Sequence, residues 1–156
     1  MNIQIIAVGK IREKYIKEGI DEFAKRISSY SSMKIIEIPA QNIVSEEFEE
    51  KCRNIEAEKI LSYISSNTFV ITMEIGGKQL SSEGLASEMK KFGQDGINHL
   101  VFVIGGATGI GQSVLDRSNY KLSMSKMTFP HQLARLFLIE QIYRAFKINS
   151  GEPYHK

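Results

Sequence analysis

The chain has 156 residues, of which 42% are hydrophobic and 24% charged, with 12 glycines and 3 prolines. Those values exclude collagenous, low-complexity and wholly disordered classes, and they suit one domain, residues 1–156, with a substantial core. A net charge of +2 and a single cysteine, Cys52, leave no internal disulfide and no zinc-finger spacing, which fits a reducing cytoplasm.

Residues 3–8, IQIIAV, form an apolar run closed by Gly9. This predicts a buried strand, too short for a membrane span and without the basic flank of a signal peptide. In the following segment Ile16, Ile20, Phe23 and Ile27 recur at steps of three and four, as in an amphipathic helix. Residues 33–38 read as a second strand ended by Pro39, and Ser45 with Glu46 and Glu47 reads as the capped start of a helix running to about Ser66. A third strand is predicted over 68–74, a turn over IGGK, and a helix opening at Ser81 or Ser82. HLVFVIGG then supplies a fourth strand, 112–117 a short helix and YKLSMS a fifth strand.

The last helix is predicted over 130–148, with Pro130 in its first turn. It is apolar on nearly every face, so it needs cover on more than one side, and a second copy of the chain is the simplest cover. Strands alternating with helices predict an α/β domain around a mostly parallel sheet, whose ligands bind at the carboxyl ends of strands. That singles out the loops after Met73, Ile104 and Ser123.

Each candidate has two readings. The loop GGATGIG is either a tight strand-to-helix turn or a cradle whose bare backbone admits a ligand. Its glycines at 105, 106, 109 and 111 match neither a dinucleotide fingerprint nor a phosphate-binding loop of nucleotide hydrolases. In MSKMTFPH the large Met124, Met127 and Phe129 either pack under the last helix or wall an apolar pocket that suits adenine and a soft sulfonium. The tail places Tyr154, His155 and Lys156 together, either as a frayed end or as a phenol, an imidazole and a cation at a working site. His99, His131 and Cys52 read as structural. Charge is also uneven, since 37–58 is rich in glutamate whereas 117–156 is rich in Lys and Arg. The basic part is either a solvated face or a surface for a polyanion.

Taken in order, the strand with VIGGATGIG, then YKLSMSKMTFPHQLARLFLIEQIYRAF, then the terminal PYHK resemble the RlmH (YbeA-like) family. These are the smallest members of the SPOUT class of S-adenosylmethionine-dependent methyltransferases, which methylate a pseudouridine in large-subunit ribosomal RNA. The resemblance spans the whole chain. It implies a C-terminal trefoil knot, an exception to the rule that chains avoid knots. It implies S-adenosylmethionine as cofactor, no metal, and a cofactor pocket formed by Met73, Gly105, Met124, Ser125, Lys126, Met127, Thr128 and Phe129.

It further implies catalysis by Tyr154, His155 and Lys156, the last position being Arg in other members, and a homodimer needed for activity. The methyl acceptor would be the N3 ring nitrogen of a pseudouridine in 23S rRNA. On that reading His155 takes the ring proton, Tyr154 stacks on the base or bonds a carbonyl, and Arg135 and Lys156 hold phosphate or stabilise developing charge. A net charge of +2 predicts weak binding to naked RNA and recognition of the assembled ribosome. The tail is expected to complete the partner subunit's pocket. The competing readings are a non-catalytic ribosome-associated RNA-binding protein, which would need no pocket, and a nucleotide-binding oxidoreductase, which lacks its fingerprint.

Overall fold

In the computed structural model, which describes residues 1–155, the apolar run near the start is strand β1 (Asn2–Val8), with Ile3, Ile5, Ile6, Ala7 and Val8 all buried. It lies inside a sheet of order β2-β1-β4-β3-β5, formed with β2 (Ser32–Ile38), β3 (Phe69–Gln79), β4 (His99–Ile104) and β5 (Tyr120–Ser123). Every strand pairing is parallel, so both faces need cover and the central strands read as continuous apolar runs. Helices α1 (Lys14–Ile27), α3 (Ser82–Gln94) and α5 (His131–Asn149) supply residues to the core on one face. Helices α2 (Glu49–Leu61) and α4 (Gln112–Arg117) supply the core on the other. Each fully buried Ile, Leu or Phe of these cores, such as Phe102 or Ile139, contributes roughly 1.5–3 kcal/mol of transfer free energy.

The predicted elements are present, and the corrections are local. Helix α1 begins at Lys14, because Gly9 takes a φ of 95° and residues 10–13 form a separate connection. A 3₁₀ turn (Glu46–Phe48) precedes α2, Ser45 makes no side-chain capping bond, and α2 ends at Leu61, short of Ser66. By contrast Ser81 caps α3, accepting from the Gly84 amide at 3.0 Å. Pro130 precedes α5 as its capping residue instead of lying within its first turn.

The IGGK segment is not a turn. Strand β3 continues through it to Gln79 with a register shift, pairing Met73 and then Lys78 with Leu122, so the intervening residues bulge out. Gly77 is required there, since a Cβ would lie 2.7 Å from the Lys121 backbone.

Helix α5 is covered by its own chain more fully than its sequence suggested. It packs between α1 and α3 on the sheet and buries Leu138, Ile139, Ile142, Tyr143 and Ala145. What remains outside is Phe137, 40% exposed. No helix among the described residues is long and apolar enough to cross a membrane.

Candidate functional site

The carboxyl ends of β3, β4 and β5 open on a cavity of ≈ 460 Å³. It is lined from three sides: Met73 and the β3 bulge, the glycine loop after Ile104, and residues 122–129 with the first turn of α5. Of the predicted pocket residues Met73, Gly105, Met124, Ser125, Met127, Thr128 and Phe129 all line it. Lys126 is exposed and does not, because Ser125 and Met127 on either side face the cavity while it points away from the lining. Two hydrogen bonds shape this wall: Ser123 Oγ donates to the Ser125 carbonyl at 3.1 Å, and the Met127 amide donates to Ser125 Oγ at 3.0 Å. Phe129 meets Phe137 edge to face at 5.6 Å, which ties the wall to α5.

The glycine loop is tight for reasons internal to the chain. The Gly109 amide donates to the Gly106 carbonyl at 3.0 Å, and Gly109 takes a φ of 89°. A Cβ on Gly105 would meet Ile110 at 2.8 Å and the Gly109 carbonyl carbon at 2.9 Å, so that position is bare to let the loop fold back on itself. Gly111 is bare because α2 presses on it, with Ala57 Cβ at 2.7 Å. Arg53 of the same helix donates to the Thr108 carbonyl at 3.3 Å. The two sequence readings therefore merge, as the tight turn forms one wall of the cavity.

Several lining residues escaped the sequence reading. Glu74 and Gly76 belong to the β3 bulge, where a turn was expected, and His131 and Ala134 come from the start of α5. Glu74 carried the one available signal, a carboxylate at the end of the predicted third strand. It supplies the cavity with a carboxylate beside the apolar Met73, Met124 and Phe129 and the polar Ser123, Ser125 and Thr128.

The tail lies elsewhere. Tyr154 packs edge to face on Tyr143 at 4.9 Å and under the Arg144 guanidinium at 4.7 Å, and its hydroxyl donates to Glu140 at 3.0 Å. Burial, followed by that carboxylate, raises the phenol above its ordinary value. His155 is held between Glu83 of α3, 2.6 Å from Nε2, and Arg144, 3.2 Å from Nδ1. A guanidinium only donates, so in this geometry Nδ1 is the acceptor and Nε2–H donates to Glu83. The hydrogen bond from His155 holds the Glu83 carboxyl below its usual range. Upstream, Glu152 accepts from Lys147 and from the Tyr30 hydroxyl, each at 2.7 Å. The tail is thus ordered against its own α3 and α5, with neither Tyr154 nor His155 in the lining of its own cavity. Lys156 lies outside the described residues.

Arg135 does not fit the role read from sequence. Its side chain is buried, Nη1 pairs with Glu37 Oε2 at 2.7 Å and Nη2 donates to the Gly9 carbonyl at 2.9 Å. Those contacts fasten α5 to the ends of β1 and β2 and leave no exposed guanidinium to meet phosphate. Cys52 is buried beside the Asn42 carbonyl. Among the described residues no group of three or more His, Cys, Asp or Glu could hold a metal ion.

Residues 1–155 match the family model described as "Predicted SPOUT methyltransferase". The chain is 53% identical to a protein of Finegoldia magna and 52% to one of Clostridioides difficile, both named "Ribosomal RNA large subunit methyltransferase H", with all of each chain covered. A relative of the same name from Clostridium novyi is 50% identical, again with full coverage. Among solved structures, a probable methylase family protein from Haemophilus influenzae Rd KW20 shares the fold at a TM-score of 0.56 and 14% identity, over 99% of this chain and 70% of that one.

Proposed function

Because the chain belongs to the SPOUT methyltransferase family, we propose that it transfers a methyl group from S-adenosylmethionine to N3 of a pseudouridine in 23S rRNA, acting on the assembled ribosome as a cytoplasmic homodimer. On this reading the whole chain is one catalytic domain carrying the family's trefoil knot. The observation that carries the proposal is the cavity of ≈ 460 Å³ at the carboxyl ends of β3, β4 and β5. Its size and apolar walls fit a nucleoside cofactor, and Glu74 offers a carboxylate to a cationic one. Met73, Gly105, Met124, Ser125, Met127, Thr128 and Phe129 would hold it, with Lys126 at the rim. When bound, S-adenosylmethionine supplies an electrophilic methyl group, so positioning provides much of the rate and no metal is called for.

The acceptor nitrogen lies between two carbonyls and carries a proton, so a base or a charge stabiliser must stand beside it. His155 is the base in this reading, with Tyr154 against the uracil ring and Lys156 stabilising the developing anion. In the tail's own-chain arrangement the Nδ1 lone pair faces Arg144. His155 accepts a proton only after Arg144 turns away, so Arg144 gates the base. Neither Tyr154 nor His155 lines the cavity of its own chain, which supports completion of the partner's pocket in a dimer. The exposed Phe137 of α5 supports a self-association face.

Calorimetry against S-adenosylmethionine, its demethylated product, ATP and NAD tests the cofactor, and transfer of a labelled methyl group to ribosomes tests the reaction. Micromolar binding of the first two alone, with label on a pseudouridine, is the expected result. Tight binding of NAD, or label on any other nucleotide, would overturn the assignment.

A further inference from the structure

The connection between β1 and α1 leaves the sheet at the same carboxyl edge as the cavity, and the chain fixes its backbone unusually well. Gln132 Oε1 accepts from the Arg12 amide at 2.9 Å and from the Glu13 amide at 3.4 Å. The Ile11 amide donates to Glu37 at 3.2 Å, and the Gly9 carbonyl accepts from Arg135 at 2.9 Å. Gln132 is the residue after His131, which lines the cavity. The loop is therefore held beside the pocket by the first turn of α5.

What this held backbone presents is cationic. Lys10, Arg12, Lys14 and Lys17 are exposed, against Glu13 and Glu18 on the same stretch. Only Lys14 has an ion-pair partner among the described residues, Glu18 at 3.7 Å, with side chains 89% and 65% exposed. A pair so open to water holds its cation weakly. Between these cations Tyr15 is 64% exposed, and it figures in no aromatic pair or hydrogen bond among the described residues. The positive end of the α1 dipole adds to the same field. The glutamates of α2 belong to the opposite face of the sheet, so they do not cancel it.

We infer that residues 10–17 form an RNA-gripping surface beside the cavity, in which Lys10, Arg12 and Lys17 hold phosphates and Tyr15 stacks on an unpaired base. The inference rests on the rRNA reading above and deepens it by naming the element that holds the substrate. Phosphate contacts position without reading sequence, and a bare aromatic ring accepts any base. A preformed cationic loop also loses little entropy on binding.

The test places a photoreactive benzophenone amino acid at position 15 and irradiates the protein on ribosomal particles, after sedimentation has established that the unaltered chain binds them. Crosslinking to rRNA is expected. Crosslinking to ribosomal protein alone, which would mean an acidic protein partner, or no crosslink from bound protein, overturns the inference. In parallel, Lys10→Ala with Arg12→Ala should raise KM for particles about tenfold. The same change should lower the slope of log affinity against log salt by about two. Here kcat and S-adenosylmethionine affinity should stay unchanged, and Tyr15→Phe should retain what Tyr15→Ala loses. An unchanged KM and salt slope in this folded double variant would equally refute the surface. Failure of the unaltered protein to methylate particles that it binds would instead fall on the proposed reaction, leaving the crosslink to judge the surface.

Discussion

The buried pair between Arg135 and Glu37 offers an asymmetric test of whether Arg135 serves the fold or the substrate. The Arg135 side chain is 3% exposed and that of Glu37 40%, at a separation of 2.7 Å. Changing Glu37→Ala strands a buried cation that keeps only the Gly9 carbonyl, and the Ile11 amide loses its acceptor as well. Removing one partner of a buried pair costs about 3–5 kcal/mol, and the open side of this one puts it near the lower end, about 3 kcal/mol. Changing Arg135→Met preserves most of the packed volume and leaves Glu37 able to turn to water, so its cost is about 1–2 kcal/mol. At about 2–4 °C per kcal/mol for a chain of this size, the melting temperature should fall by about 6–12 °C for Glu37→Ala and about 2–8 °C for Arg135→Met. Thermal unfolding at one fixed protein concentration, with methyl transfer measured well below the transition, reads both effects. The reverse order of stabilities would refute the burial argument. So would an Arg135→Met protein of full stability that has lost methyl transfer, which would restore the substrate role read from sequence.

Mixing two inactive variants should restore activity if the tail works in trans. With random subunit exchange, a chain cut before Tyr154 and a chain with a blocked pocket should give about a quarter of wild-type methyl transfer; background activity after verified exchange would place the tail over its own cavity. For the block, Gly105→Val should abolish S-adenosylmethionine binding, and since its side chain collides with Ile110 and Gly109, Gly76→Leu is the gentler partner variant, its Cβ meeting nothing within 4 Å. Light scattering should show a dimer, and Phe137→Glu should shift it toward monomer; an unaltered dimer would remove this face from the interface. Docking of the tail should weaken as pH climbs from the ordinary phenol value of about 10 toward the raised value of Tyr154, because the unfolded tail ionises first. Phenolate absorbance against the truncated chain would show this, and a titration at the free-tyrosine value would contradict it.

How far the chain could be read depended on how local each determinant is. The strands β1 and β4 are largely apolar runs, so each is written in a few adjacent residues. The place of the cavity followed from the alternation of strands and helices, because in a parallel sheet the carboxyl ends of the strands lie along one edge whatever the side chains are. The β3 bulge was missed because GG reads as a turn, whereas here it answers to the backbone of β5 pressed against Gly77. The burial of Arg135 was not legible because its partner, Glu37, lies 98 residues away and nothing near α5 announces it. The clamp on His155 was equally invisible, since Glu83 stands at the start of a helix whose sequence accounts for it as a favourable first-turn acid.

The contact of α2 with the glycine loop gives that helix a second character. It contributes no residue to the cavity, yet Ala57 bears on Gly111 and Arg53 holds the Thr108 carbonyl. It is therefore the mould in which the loop is cast. A larger side chain at Ala57 would be felt at the cavity as a displaced wall, and a survey of variants scored by cofactor affinity would flag a helix on the far face of the sheet. Conversely, a ligand that stiffens the loop would slow amide exchange in the middle turns of α2, so that occupancy of the pocket could be read from the back of the molecule.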